Sequence, residues 1–293
     1  MSASAPKPLT AALWMIGAIA AFTSMAVAGR AMASELDTFE IMMYRSFIGL
    51  IIVVVITGLL GRWREVTTDR LPLHAARNFF HFTGQNLWFY AVALIPFAQL
   101  FALEFTTPLW VTLLAPFLLG EKLTRTRILA ASVGFLGILI VARPGSVPIT
   151  SGVVAAASSA IAFAGSIILT KILTRTASVT CILFWLTVMQ SVFGIVAAGY
   201  DGDVAVPSGA AWPLVILIGC AGLLAHLCLT KALTVAPAII VVPMDFLRLP
   251  IVAIIGAAFY GEALDPLVIT GAIVIFAANY YNIWIEAKAA RQG

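Results

Sequence analysis

Ten apolar stretches follow one another along the chain, near residues 9–29, 40–60, 72–94, 97–118, 126–142, 150–171, 179–198, 211–235, 238–259 and 265–285. Crossing the hydrocarbon of a bilayer takes about 20 residues of helix. Backbone amides find no partner there except along their own helix, so each stretch is predicted to be helical even where Val and Ile dominate. A membrane barrel would instead show alternating segments of about ten residues, and the sequence has none. Only 10% of the 293 residues are charged and 62% are hydrophobic, against about 25% charged in a soluble domain. These proportions exclude a soluble globular protein and leave no length for a soluble domain. The predicted fold class is an all-α integral membrane protein with ten transmembrane helices.

The net charge of +4 does not indicate nucleic acid, because the basic residues stand singly between apolar runs and serve as topology signals. With the N-terminus inside, Lys7, Arg62, Arg64, Arg70, Arg77, Lys122, Arg125, Arg127, Lys171, Arg175, Lys231, Lys288 and Arg291 collect on the cytoplasmic side, leaving Arg30 and Arg143 outside. Both termini are therefore expected in the cytoplasm of a cell (inner) membrane protein. The first run ends in Ala26-Val27-Ala28, which is similar to a signal-peptidase site; a retained first helix is the reading adopted, because the internal repeat needs it. Cys181, Cys220 and Cys228 all fall in apolar runs without metal-ligand spacing, so neither disulfide, metal nor cofactor is expected.

The chain repeats itself. A shift of 141 places Pro237 on Pro96, Asp245 on Glu104, Phe246 on Phe105 and Gly261-Glu262 on Gly120-Glu121 without a gap. Each half, 1–146 and 147–293, then holds five helices, and an odd number forces the second half to enter the membrane inverted. Inverted repeats exchange conformations around a midplane site, which is the architecture of alternating access. Pro96 and Pro237 join corresponding helices and are expected to mark the connections that rock, since proline removes a helical hydrogen bond.

Polar residues inside the spans are the candidates for the site. The third span carries His74, Asn78, His81, Gln85 and Trp88 on one helical face. The eighth answers with Gly219, Gly222, His226 and Thr230, and the shift brings His226 onto Gln85. Such stripes face a cavity or another helix, not lipid. Four charges lie within spans: Arg45, Glu104, Asp245 and Arg248. Asp245 and Arg248 stand three apart on one face and suit an internal ion pair. Glu104 has Arg45, Arg248 or a cargo amine as candidate partners. Ala130 and Gly134 offer small-xxx-small spacing for a dimer or for a neighbouring helix.

The segment from Pro108 through Gly120-Glu121-Lys122, followed by Gly134, Gly137 and Arg143-Pro144-Gly145, resembles the EamA module of the drug/metabolite transporter superfamily. Pro250 to Glu262 and on through Gly271 to Asn279 is similar to a second copy, and Arg45 matches the arginine that opens the family's second helix. The resemblance implies a cavity lined by helices 1, 3, 4, 6, 8 and 9, with helices 5 and 10 packed away from it.

Asn78, His81, Gln85, Trp88, Glu104, His226 and Thr230 are then the expected substrate contacts; Pro96, Pro237, Asp245, Arg248 and Arg45 are expected to gate or to form ion pairs. Amides, imidazoles and a few balanced charges suit a neutral or zwitterionic small molecule better than a phosphate. The leading expectation is an exporter of amino acids, aromatic ones included, or related metabolites, similar to the YddG-type members of the family and working as a monomer or homodimer. A proton-coupled extruder of lipophilic cations using Glu104 is the alternative. An intramembrane enzyme using Glu104 and Asp245 is disfavoured by the absence of Gly-x-Gly-Asp, His-Glu-x-x-His and phosphate-loop motifs. Few membrane acids, one with a basic neighbour, lean towards uniport.

Overall fold

The computed structural model describes residues 8–119, 125–143, 149–173, 175–200, 202–235, 244–245 and 247–290. Its described helices are α1 (Pro8–Met32), α2 (Thr38–Leu59), α3 (Leu71–Leu94), α4 (Phe97–Glu104), α5 (Thr107–Leu119), α6 (Arg125–Ala142), α7 (Ser151–Leu173), α8 (Val179–Ala198), α9 (Trp212–Val235), α10 (Arg248–Tyr260) and α11 (Pro266–Ala290). No strand occurs among the described residues. We call the face where α1 begins the near face, and the one where it ends the far face.

α1, α2, α7, α8 and α9 are long and apolar enough to cross a membrane. α3 is as long but carries the polar stripe, and that stripe is buried: His74, Arg77, Asn78, His81, Gln85 and Asn86 all point inward. Leu9, Leu13, Leu59, Phe117 and Phe259 are among the most exposed residues, the outward apolar surface that lipid must cover. The chain is an integral multi-pass membrane protein.

The stretch 97–118, expected as one helix, is two. The break falls at Phe105–Thr106, because Pro108 has no amide to give the Glu104 carbonyl. The Glu104 carbonyl is covered locally by the Thr107 hydroxyl at 2.6 Å, and the Thr106 hydroxyl adds a bond at 2.7 Å to the Leu103 carbonyl, which also accepts the Thr106 amide. From α11, the Asn279 amide donates to the Phe105 carbonyl at 2.8 Å. Broken helices are tolerated at membrane depth where side chains re-satisfy the backbone in this way. In the ninth span α10 occupies 248–260, the equivalent under the shift of 141 of α5 at 107–119. Pro237 and Pro243 lie outside the described residues, as do Gly120, Glu121 and Pro144-Gly145.

Packing follows the repeat. α1 lies along α9 and α3 along α7, two pairs that exchange under the symmetry; α2 packs on α8 and α6 on α11, pairs that map onto themselves. α4 is buried all round, with Phe97, Leu100, Phe101 and Ala102 fully enclosed, so it forms the apolar hub. α6 and α11 cross backbone to backbone: a Cβ on Gly137 would stand 2.9 Å from the Gly271 carbonyl, and one on Gly271 2.8 Å from that of Gly137. Gly134, half of the small-residue stripe, is covered by Leu109 of α5, where a Cβ would meet Leu109 Cδ1 at 2.0 Å. The stripe's glycine thus serves packing within the chain.

On the near face the connection between α2 and α3 clasps α8. The Thr67 carbonyl accepts from Trp185 Nε1 at 2.7 Å, and Trp63 meets Phe184 edge to face. A hydrogen bond from Thr180 beside it holds the Glu65 carboxyl below the usual carboxylate range.

Candidate functional site

Two polar centres interrupt the apolar interior. The first is built where α2, α3, α8 and α9 converge. Arg45, seven residues into α2 and 8% exposed, donates from Nη1 to Gln85 Oε1 on α3 at 2.8 Å. Its guanidinium rests on Gly222 of α9, where a Cβ would stand 2.7 Å from both Nε and Nη2. One helical turn on, the ring of His226 meets His81 of α3 at 5.5 Å and Phe22 of α1 at 5.7 Å, both edge to face. The stripes of α3 and α9 therefore touch at mid-bundle. Towards the near face Asn78 Nδ2 donates to the Trp185 carbonyl, and the Asn78 carbonyl accepts from Gln190 Nε2 at 2.9 Å.

A pocket opens beside this centre, lined by Arg45, Ser46 and Gly49 of α2, Leu186, Thr187 and Gln190 of α8, and Gly219, Gly222, Leu223 and His226 of α9. Its cavity volume is about 30 Å³, room for a few water molecules. The lining differs from the six-helix cavity expected: it draws on the second, seventh and eighth spans. Its glycines seat neighbouring side chains: Gly49 takes Thr187, Gly219 takes Ile48 and Gly222 takes Arg45. Ser46, Thr187 and Gln190 escaped the sequence reading, although Thr187, Gln190, Ser191 and Gly194 recur at helical spacing and marked a polar face on α8. Arg77, counted among cytoplasmic charges, is in fact buried in α3, donating to Thr170 Oγ1 at 3.0 Å and to Asn78 Oδ1 at 2.9 Å. Its place in the sequence near the start of a span made it look interfacial.

The second centre is an ion cluster between α3, α4 and α10. Arg248 donates from Nη2 to Glu104 Oε1 and to Asp245 Oδ2, each at 2.9 Å. Trp88 Nε1 donates to Glu104 Oε2 at 2.7 Å. The guanidinium lies 4.8–5.3 Å from the rings of Phe22, Phe101 and Phe105. Glu104 is thus taken by Arg248 and Trp88, and the Trp88 ring is enclosed against Phe89 and Phe101. Of the expected substrate contacts, His226 lines the pocket, Gln85 adjoins it through Arg45, Asn78 and His81 stand behind it, and Trp88 and Glu104 belong to the ion cluster. The Thr230 side chain lies outside the described residues.

The far face carries a tie of its own. Arg30, at the end of α1, pairs with Glu262 and donates to the carbonyls of Val92 at 2.7 Å and Ile95 at 2.5 Å. The Phe97 ring covers its guanidinium at 3.6 Å. Glu262 in turn accepts the Phe97 amide at 2.9 Å. It reaches that position because Gly261 turns the chain at a φ of 63° and Gly256 leaves room for its carboxylate. The tie grips both sides of Pro96, which caps α4.

Comparison with known proteins agrees with this architecture. A model of the EamA-like transporter family matches twice, over residues 9–143 and 150–284, copies offset by 150 − 9 = 141 residues. The chain belongs to the EamA-like transporter family. It is 26% identical over 282 residues to an S-adenosylmethionine uptake transporter of Rickettsia felis, covering 96% of this chain and 95% of that one. It is 31% identical over 232 residues to a riboflavin transporter of Brucella anthropi (78% and 82%), and 27% identical over 250 residues to a pseudopaline exporter of Pseudomonas aeruginosa (84% and 86%). A solved structure shares the fold with a TM-score of 0.65 at 17% identity, over 96% of this chain and 98% of the other. The chain is a membrane transporter of small metabolites built as an inverted five-plus-five repeat.

Proposed function

We propose that the chain exports neutral or zwitterionic metabolites, amino acids foremost, across the inner membrane by alternating access, with both termini in the cytoplasm. The observation that carries this reading is the meeting of the α3 and α9 stripes beside the pocket, with His81 against His226 and Gln85 on Arg45. Neutral hydrogen-bonding groups and one guanidinium at mid-bundle, among apolar walls, suit a small polar solute. Asn78, His81, Gln85, His226 and Thr230 are the contacts or supports of that solute. Pro96, held by the Arg30–Glu262 tie, and Pro237, its counterpart, are the connections that rock. In this reading Glu104, Trp88, Asp245 and Arg248 form the internal fastening of the fourth and ninth spans. The units 1–146 and 147–293 are the two bodies that exchange shape.

The cation-extruder reading needs a free membrane carboxylate. Glu104 is engaged twice and the pocket presents a cation, so the geometry favours the zwitterion reading. Counterflow in proteoliposomes tests it: with unlabelled amino acid inside and labelled tracer outside, tracer should accumulate transiently without a proton gradient. Flux confined to amphipathic cations and to an imposed gradient would overturn it.

A further inference from the structure

We infer that α2 and α8, each clasped by a loop of the opposite half, form a frame that stays assembled throughout the transport cycle while the helices around Pro96 move. The inference rests on alternating access, as proposed above. Two connections cross between the halves. At the near face the stretch 60–70 of the first half grips α8 of the second. The Thr67 carbonyl accepts from Trp185 Nε1 at 2.7 Å and from Cys181 Sγ at 3.6 Å, and the Glu65 carboxylate accepts from the Thr180 and Ser178 hydroxyls. At the far face the stretch 202–211 of the second half grips the start of α2 and the turn before it. There the Ala205 carbonyl accepts from the Tyr44 hydroxyl at 2.9 Å and the Ala205 amide donates to Glu40. The Ser208 amide and hydroxyl donate to Glu35 at 3.1 and 3.2 Å.

The two clasps are counterparts. The shift of 141 carries Val179, where α8 starts, onto Thr38, where α2 starts (179 − 141), and the cap Ser178 onto the cap Asp37. It also carries Trp185 onto Tyr44 (185 − 141). Each helix therefore turns an aromatic donor, two turns from its cap, to a carbonyl of the other half's loop. The accepting carbonyls stand three places apart under the same shift, Thr67 against 205 − 141 = 64. Inverted repeats cycle by trading conformations, so a contact that gates one face has its counterpart broken when the other face opens. Both clasps are made together in one conformation, which assigns them to what the halves keep in common. Between them α2 and α8 pack as one piece: a Cβ on Gly194 would stand 2.8 Å from Met43 Cα, and one on Gly49 would meet Thr187 at 3.3 Å. Arg45 and Gln190 reach from this frame to Gln85 and to the Asn78 carbonyl of α3, a seam of hydrogen bonds between the frame and a helix that moves.

Reversible bridges test the frame in the full chain, on a background of Cys181→Ala, Cys220→Ala and Cys228→Ala. Glu35→Cys with Ser208→Cys spans the far clasp, Glu65→Cys with Thr180→Cys the near one, and Arg30→Cys with Glu262→Cys the far-face tie. A bifunctional methanethiosulfonate closes each pair and dithiothreitol reopens it. With both clasps closed, phenylalanine counterflow in proteoliposomes should stay within about two-fold of the reduced protein, whereas closing the tie should slow it at least about ten-fold, because the rocking step is lost. Hydrogen exchange in nanodiscs gives a readout without cargo: Glu262→Gln should speed exchange around Phe97 and leave 203–208 unchanged. Counterflow lost on closing either clasp, or exchange that rises at 203–208 together with Phe97, overturns the inference and leaves alternating access standing. Counterflow indifferent to the closed tie overturns the rocking at Pro96 and leaves the frame in place. Absence of counterflow in the reduced protein overturns the amino-acid reading, and exchange then decides the frame by itself.

Discussion

At the scale of single residues, what distinguishes the interior is how its charges are matched. Arg248 is enclosed by Glu104, Asp245 and three phenylalanine rings, whereas Arg45 sits on a glycine with one amide for company. The first arrangement is matched by opposite charge and the second by a neutral amide. Glu104→Gln should therefore cost about 1.5–3 kcal/mol of stability, the value of a hydrogen bond to a charged group, read as a lowered melting temperature in detergent. Selective loss of cation resistance at unchanged stability would contradict this. Gly222→Ala would set a methyl 2.7 Å from Nε and Nη2 of the buried Arg45, an overpacking expected to cost about 1–3 kcal/mol and to lower the melting temperature. The sequence exposed the charges and their spacing, including the three-residue step from Asp245 to Arg248. It could not show that Glu104 meets Arg248, since 144 residues separate them and only the packed bundle brings them together.

Among the elements, helices were legible and their interruptions were not. Apolar length sufficed to locate the spans, because lipid leaves the backbone one economical solution. The split between α4 and α5 falls at Glu104-Phe105-Thr106-Thr107-Pro108, where the threonines and the proline carried the signal between two apolar runs. Thr107→Val removes the hydroxyl that covers the Glu104 carbonyl and should cost about 0.5–1 kcal/mol, the worth of a hydrogen bond within a membrane. α6 and α11 offer a stronger test of packing. Gly137→Ala drives a methyl to 2.9 Å from a backbone oxygen that no rotamer can move, an overpacking expected to cost about 1–3 kcal/mol. Unchanged thermal unfolding of the variant would show that the crossing is looser than described.

For the whole molecule, the repeat is the organising fact. The shift of 141 was legible in the sequence and recurs in the packing, where α1 on α9 mirrors α3 on α7. The pocket's lining was not legible, since α8 contributes polar residues with no counterpart in the stripes of α3 and α9. The tie between Arg30 and Glu262 lies at the far face beside Pro96, and the same shift carries Glu262 onto Glu121 and Arg30 onto Lys171 (262 − 141 and 30 + 141). If the halves exchange conformations, releasing one tie should favour opening at that face, and releasing its counterpart should favour closing there. The most direct measurement is the distance distribution between spin labels at Ser34 and Leu264, both exposed at the far face, in nanodiscs. Glu262→Gln should shift that distribution to longer distances and Glu121→Gln to shorter ones. Shifts in the same direction, or none in either variant, would contradict alternating access built on the inverted repeat.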